Sequence, residues 1–204
     1  MKAIEITKVG GPEVLNYVDV PEPSPGPGQA LIEIKAIGVN FTDIYTRSGL
    51  NPPTLPTIPG VEASGVVIQV GKSVSDIAVG DNVAYTGIGS SYAEKVVVPT
   101  GRLVKLPHGT SHETAAAAML QGMTAHYLCR STYQLQSGDT CLIHAAAGGV
   151  GLLLTQMAKS IGAQVIATVS TEEKAQLASE AGADHVIIYT REDFQEQVNR
   201  ISDG

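Results

Sequence analysis

Residues 140–151 read TCLIHAAAGGVG, an apolar strand that leads through a glycine-rich turn into a helix. In proteins that bind dinucleotides, the phosphate-binding loop lies between a strand and a helix, as this stretch does. Gly148 would let the backbone approach a pyrophosphate, and Gly151 would let the helix pack closely on the strand. The first glycine of the general G-x-G-x-x-G pattern is Ala146 here, so a tight turn without a ligand is the alternative reading. The predicted cofactor-binding residues of this loop are Ala147, Gly148, Gly149, Val150 and Gly151.

From residue 140 onward, strands and helices alternate along the chain. Strands are predicted at 140–145, 164–169 and 186–189, with helices between them and after the last one. This order predicts an α/β fold with a parallel sheet. A complete dinucleotide fold has six strands, and only three are predicted, so we expect a partial Rossmann sheet and a C-terminally truncated form of a longer enzyme.

The first half of the chain has a different texture, because ten of the 11 prolines precede residue 100. Short strands are predicted at 2–7, 14–20, 30–39, 61–70, 82–85 and 92–98, which favours a small β-barrel. Helices are predicted at 111–119, with Ser111 as the N-cap, and at 124–133. The predicted domains are residues 1–123 and residues 124–204.

Composition excludes several classes of protein. The 204 residues include 13 Lys and Arg against 20 Asp and Glu, a net charge of −7, and 43% are hydrophobic. This is too apolar for a disordered chain, and no apolar run reaches the roughly 18 residues of a membrane span. The acidic balance argues against nucleic acid as a partner. Cys129 and Cys141 cannot form a disulfide framework, and a cytoplasmic location is expected.

The residues after the second strand predict which cofactor is bound. An NAD site usually has an acid there to bind the ribose 2′-hydroxyl, but this chain has Ser170. Lys174 lies one helical turn further on and could reach a 2′-phosphate, and Tyr189 ends the third strand nearby. Glu172 and Glu173 place negative charge in the same turn and argue the other way. We therefore favour NADPH, with NADH as the alternative.

The chain closely resembles the zeta-crystallin-like quinone oxidoreductases of the medium-chain dehydrogenase/reductase superfamily. The resemblance spans the whole chain and implies a GroES-like β-barrel domain followed by a Rossmann domain. It rests on Gly138-Asp139, Leu142, Ala146–Gly149, Gly151, Gln156 and Lys159, and on GGPEVL at 10–15, PGPG at 25–28, AIGVNFTD at 36–43, RSGL at 47–50, PGVEASG at 59–65, GD at 80–81 and LQGMT at 120–124.

The resemblance also implies site residues and the absence of a metal. In zinc-dependent relatives a cysteine stands at the position of Asn40 and a histidine at that of Val61, and neither replacement can ligate zinc. The resemblance implies that Asn40, Asp43 and Tyr45 line the substrate and nicotinamide pocket as the catalytic residues, and that Thr124 lies beside the nicotinamide. A helix cap for Asp43 and ordinary packing for Tyr45 are the structural alternatives.

The implied activity is NADPH-dependent, zinc-independent reduction of a quinone by hydride transfer. Relatives often have an aromatic residue where this chain has Asn51, which weakens the case for a quinone. The alternatives are an enoyl or alkenal reductase on the same scaffold and a non-catalytic, crystallin-like NADPH-binding protein. The expected partners are a small quinone or conjugated carbonyl and, for a full-length form, a second copy of the chain, with no metal and no membrane.

Overall fold

The described part of this computed structural model, residues 1–202, divides into two units, Met1–Leu120 and Gln121–Gly204. The division falls inside a helix and close to the predicted domain boundary after residue 123, which stays a prediction.

The N-terminal unit is built on antiparallel sheets. A long central strand, β3, pairs with β4 on one side and β6 on the other, in a five-stranded sheet of order β6-β3-β4-β5-β7. A two-stranded ribbon joins β1 to β2. The strands are β1 (Lys2–Glu5), β2 (Asn16–Asp19), β3 (Gln29–Ile37), β4 (Glu62–Val70), β5 (Asn82–Thr86), β6 (Lys95–Pro99) and β7 (Val104–Lys105).

The core of this unit is made by one face of the five-stranded sheet. Ile32, Val67 and Val98 are fully buried there, on three neighbouring strands. Tyr85 is also fully buried, and its hydroxyl lies 2.9 Å from Ser91 Oγ, which satisfies its polar end. Burial alternates with partial exposure along β6, whereas β3 and β4 have three and four consecutive buried residues, as strands covered on both faces do.

Helix α1 (Phe41–Ser48) follows β3 directly. Short 3₁₀ turns lie at Pro12–Val14 and Thr100–Arg102. The 3₁₀ turn replaces the beginning of the strand predicted at 14–20, since Pro12 favours a helical first turn.

Helix α2 (His112–Tyr127) corrects the prediction of two separate helices at 111–119 and 124–133. Ser111 precedes it and its Oγ accepts a hydrogen bond from Thr114 N at 3.1 Å, so the predicted N-cap is confirmed. The helix runs through Gly122, because an isolated glycine inside a helix is tolerated at a cost of about 1 kcal/mol. A short π-helix, Leu128–Thr132, follows it.

The C-terminal unit is a parallel sheet of order β10-β9-β8. Its elements are β8 (Thr140–His144), α3 (Gly149–Ile161), β9 (Gln164–Val169), α4 (Glu172–Glu180), β10 (His185–Ile188) and α5 (Phe194–Ser202). The predicted strand–helix alternation is confirmed. Val165 and Ala167 on β9 are fully buried, as a central strand covered on both faces requires.

One local prediction in this unit needs correction. Helix α4 is capped by Thr171, whose hydroxyl accepts a hydrogen bond from Lys174 N at 3.3 Å. The third strand ends at Ile188, so Tyr189 lies just beyond it. No helix within residues 1–202 is long and apolar enough to cross a membrane.

Candidate functional site

The glycine loop brings helix α3 unusually close to the strand before it. A Cβ atom added at Gly151 would lie 2.4 Å from the carbonyl oxygen of Ala145 and 2.6 Å from Ala146 Cα. Real Cβ atoms do not approach backbone this closely, so only glycine fits at this position. The loop therefore has the close helix–strand packing that the predicted dinucleotide site needs.

The start of helix α3 is open. Gly148 is its N-cap, and within the described residues no side chain caps the helix. The N–H groups of the first turn, which belong to Gly149, Val150 and Gly151, point out of the N-terminus and carry its partial positive charge. The arrangement suits an anion such as a pyrophosphate. Ala147 is half-buried in the turn before it.

The predicted 2′-phosphate residues lie together after strand β9. Lys174 Nζ donates a hydrogen bond to Ser170 Oγ at 3.1 Å, so the ammonium and the hydroxyl share one small surface. The segment that carries Tyr189 is joined to this surface, because Thr190 Oγ1 donates to the Ser170 carbonyl oxygen at 2.9 Å. Lys174 and Tyr189 are both exposed, so a ligand has access to them.

Thr124, the remaining predicted cofactor residue, lies in α2 and is half-buried. Gln121 from the same helix lies against the glycine loop: a Cβ atom at Gly149 would be 3.1 Å from Gln121 Cγ. The loop therefore rests on α2 as well as on β8.

The start of helix α1 contrasts with that of α3, because it is closed by the chain itself. Asn40 is the N-cap, and its backbone N–H donates to Asp43 Oδ2 at 2.9 Å. Tyr92 donates its hydroxyl to the same Asp43 oxygen at 2.9 Å. Burial first, and then the hydrogen bond to the carboxylate, raise the pKa of Tyr92, so the phenol keeps its proton and remains the donor.

Asp43 is only 6% exposed, and its second oxygen, Oδ1, has no hydrogen-bond partner among the described residues. A buried carboxylate oxygen without a donor is costly, which marks it as a place where a ligand or a water molecule can donate. Asp43 and Asn40 also border a cavity of about 200 Å³, whose other walls include Ile44, Arg47 and Tyr92.

The side chain of Asn40 is fixed by a buried acid. Asn40 Nδ2 donates to Glu62 Oε2 at 2.9 Å, and Glu62 Oε1 accepts from the backbone N–H of Leu120 at 2.6 Å. Glu62 is fully buried, and a Cβ atom at Gly38 would lie 2.1 Å from its Oε2. Helix α2 and strand β4 thus hold the amide of Asn40 in one orientation.

Tyr45 lies one turn along α1 and is 38% exposed. The ring of Phe41, which is 73% exposed, lies beside it at a centroid distance of 6.4 Å. Asn51 donates its backbone N–H to the Tyr45 carbonyl oxygen at 3.1 Å. Helix α1 therefore presents two exposed aromatic rings, although Asn51 itself has none.

Glu62 and Tyr92 are the residues of this site that the sequence analysis did not identify. Their partners lie 22 and 49 residues away, so no local pattern connects them. The one available signal was the acid in the PGVEASG stretch, because a charged residue in an otherwise apolar strand needs a buried partner.

Within residues 1–202, no group of three or more His, Cys, Asp or Glu side chains is arranged to hold a metal ion. The Asn40 amide donates a hydrogen bond to Glu62, and Val61, which precedes Glu62 in the chain, has no side-chain atom that can ligate a metal.

Two protein-family models match the chain. The model described as "Alcohol dehydrogenase GroES-like domain" matches residues 26–108, and that described as "Zinc-binding dehydrogenase" matches residues 149–204. Each corresponds to one of the two units.

Individual relatives match over nearly the whole chain. A quinone oxidoreductase of Pseudomonas aeruginosa is 48% identical and is matched over 100% of this chain and 63% of its own length. The crystal structure of Escherichia coli quinone oxidoreductase complexed with NADPH superposes with a TM-score of 0.97 at 44% identity, over 100% of this chain and 63% of that one. A 2-haloacrylate reductase of Burkholderia sp is 42% identical, over 99% of this chain and 63% of the relative.

A GroES-like unit followed by a Rossmann-type nucleotide-binding unit defines the medium-chain dehydrogenase/reductases. The chain belongs to this superfamily, and over its whole length it is similar to the quinone oxidoreductases. The resemblance and the fold class inferred from the sequence are confirmed. The chain spans about 63% of the length of the relatives named here.

Proposed function

We propose that this protein reduces quinones with NADPH and uses no zinc. The observation that carries the proposal is the hydrogen-bonded pair of Lys174 and Ser170 after strand β9, in the place where an NAD site has an acid. When bound, NADPH supplies the hydride that reduces the acceptor. The similarity to a relative whose structure was determined with NADPH supports the same cofactor.

The C-terminal unit would hold the cofactor by its phosphates. The N–H groups of Gly149, Val150 and Gly151, with Ala147 and Gly148 before them, would bind the pyrophosphate. Lys174 and Ser170 would donate to the 2′-phosphate, and Tyr189 would lie against the adenosine. We propose Thr124 as a contact on the nicotinamide side.

The N-terminal unit would orient the acceptor. Asn40 is held by Glu62, and Asp43 is held by Tyr92, so both polar groups are fixed before a ligand arrives. Asp43 Oδ1 would accept a hydrogen bond from a hydroxyl of the reduced ring or from a water molecule that delivers a proton. Tyr45 and Phe41 would offer ring faces to a flat acceptor. Such fixed groups lower the barrier by orientation rather than by Lewis acidity.

A second candidate is reduction of a conjugated carbonyl or acrylate. Two observations favour it: the 42% identical relative is a 2-haloacrylate reductase, and Asn51 stands where an aromatic wall is common. A non-catalytic NADPH-binding role is the remaining alternative. We further propose a cytoplasmic location and, for a chain as long as the relatives, a homodimer. Size-exclusion chromatography with light scattering on the longer chain would test the homodimer.

The test is a spectrophotometric assay of NADPH oxidation with 1,4-benzoquinone and, separately, with a 2-alkenal, each corrected for the enzyme-free rate. We expect oxidation with the quinone and slower oxidation with NADH. Preference for the alkenal would favour the second candidate. NADPH binding without turnover of either acceptor would favour the non-catalytic role.

The cofactor assignment has its own variant. Lys174→Ala should raise the dissociation constant for NADPH by about tenfold or more, since a charge-assisted hydrogen bond is lost, and leave that for NADH within about twofold. Lys8→Ala, which removes an exposed lysine of the other unit, is the charge-matched control. Equal losses for the two cofactors with Lys174→Ala would refute the role of Lys174.

A further inference from the structure

The proposed 2′-phosphate surface includes acidic side chains, although it is expected to bind an anion. Helix α4 begins with Glu172 and Glu173, directly after Thr171 and before Lys174. Two carboxylates at this position favour the helix dipole but oppose a phosphate dianion. With Lys174 alone, the three side chains sum to one positive and two negative charges, a net charge of −1.

Arg191 removes this excess of negative charge. It is three residues beyond the end of β10, in a turn fixed by the hydrogen bond from Arg191 N to the Ile188 carbonyl oxygen at 2.9 Å. Its guanidinium Nη1 donates to Glu172 Oε2 at 2.9 Å. Two positive and two negative side chains now sum to zero.

The other two acids of this turn accept hydrogen bonds from backbone N–H groups. Glu192 Oε1 accepts from Ile188 N at 3.4 Å, and Asp193 Oδ1 accepts from Gln195 N at 2.9 Å, at the start of α5. Hydrogen bonds from its own backbone and from Thr171 lower the pKa of Glu173, and the nearby charge of Arg191 adds to this, so Arg191 acts on both glutamates.

The ion pair of Arg191 with Glu172 contributes little to folding. Its side chains are 67% and 69% exposed, and exposed pairs are worth close to nothing in stability. Its electrostatic effect on a bound anion is larger, because an unscreened carboxylate would repel the two charges of a phosphate.

We propose that Arg191 determines the preference for NADPH by neutralising Glu172 beside the 2′-phosphate. The proposal rests on the proposed NADPH-dependent function and adds a residue that discriminates between the two cofactors. It assigns to Arg191 a positioning and charge-balancing role, whereas Lys174 is the direct phosphate donor.

The experiment titrates NADPH, NADH and 2′,5′-ADP onto the protein at low salt, with nicotinamide emission or calorimetry as the readout. The variants are Arg191→Ala, Glu172→Gln and the double variant, with Arg200→Ala as the control. Arg200 is an arginine of α5 that interacts with Gln197, so its removal changes the net charge equally at another place. The 2′,5′-ADP arm isolates the phosphate from the nicotinamide.

We expect Arg191→Ala to weaken NADPH and 2′,5′-ADP by about fivefold and to leave NADH within about twofold. Glu172→Gln should tighten NADPH or leave it unchanged, and the double variant should return to within about twofold of the wild type. Arg200→Ala should change none of the three. The loss in Arg191→Ala should shrink at high salt, because added ions screen exposed charges.

Equal weakening of NADPH and NADH by Arg191→Ala would overturn the proposal, as would a double variant no better than Arg191→Ala. Failure of the proposed function and failure of the role of Arg191 would give different binding results. Wild-type protein that binds neither dinucleotide would refute the proposed function, whereas wild-type preference for NADPH that survives in Arg191→Ala would refute only the role of Arg191.

Discussion

Helices α1 and α3 both begin where a strand ends, yet their N-termini differ. The start of α1 is closed by Asp43, whose Oδ2 accepts from Asn40 N and from Tyr92 Oη. The start of α3 has Gly148 as its cap and no side-chain acceptor within the described residues. At α1 the carboxylate of the first turn accepts hydrogen bonds from the N-cap backbone and from Tyr92. At α3 no described side chain caps the first-turn N–H groups, so they can donate to a ligand.

Under the proposed function, this difference separates cofactor binding from acceptor orientation. The start of α3 suits binding of a phosphate, because no described side chain caps its backbone N–H groups. The closed start of α1 suits orientation of an acceptor, which needs fixed polar groups. Changes at the two helices should therefore alter different measured quantities.

The largest effect is expected at the open end. Gly151→Val should weaken NADPH binding by roughly 10- to 100-fold, because the new side chain meets Ala145 and Ala146 and forces the loop away from α3. Fluorescence titration of NADPH measures this loss.

Gly122→Ala is the matched control for that variant. A Cβ atom at Gly122 meets only Leu153 Cδ1 at 4.0 Å, so the change should keep wild-type binding and slightly stabilise α2. Unchanged NADPH binding in Gly151→Val would mean that the close packing of α3 is not needed for the site.

A smaller effect is expected at the closed end. Tyr92→Phe removes one of the two donors to Asp43 Oδ2 and leaves the Asn40 N–H as the other. We expect the free energy of unfolding in urea to fall by about 1–3 kcal/mol, because a hydrogen bond to a buried carboxylate is lost. Turnover with a quinone should fall by about tenfold.

Tyr85→Phe provides the comparison. It also deletes a tyrosine hydroxyl, one that pairs with Ser91 Oγ at 2.9 Å and whose pKa burial raises to about 12. It should destabilise the N-terminal unit to a similar degree but leave the turnover number unchanged. A similar loss of turnover in both variants would make the Tyr92 effect one of general stability.

The smallest effect concerns pH and lies in the C-terminal unit away from the loop. Hydrogen bonds from Lys159 and from the Val165 N–H lower the pKa of Asp184 below its ordinary value. A carboxylate with a lowered folded-state pKa stabilises the fold above its unfolded pKa of about 4, and this stabilisation is lost as the pH falls through the folded value.

Asp184→Asn should therefore lower the free energy of unfolding of this unit at pH 7. Below about pH 4 that free energy should fall less with decreasing pH than it does in the wild type. Urea unfolding at several pH values would show this, with Asp76→Asn in the other unit as the control. A pH dependence identical to that of the wild type would contradict the assigned role of Asp184.

The sequence predicted the open helix start better than the closed one. The glycine loop and the alternating strands of the C-terminal unit are local patterns, and both are as expected. The bonds from Tyr92 to Asp43 and from Asn40 to Glu62 join residues far apart in the chain, so only the folded sheet brings them together. The two helices predicted around Gly122 are one, since packing outweighs the low helix propensity of a single glycine.

Measurement of NADPH affinity and quinone turnover on the same preparation of Tyr92→Phe tests whether cofactor binding at α3 is separate from acceptor orientation at α1. The prediction is a dissociation constant for NADPH within about twofold of the wild-type value and a turnover number about tenfold lower. A loss of NADPH affinity as large as the loss of turnover would contradict the separation of cofactor binding at α3 from acceptor orientation at α1.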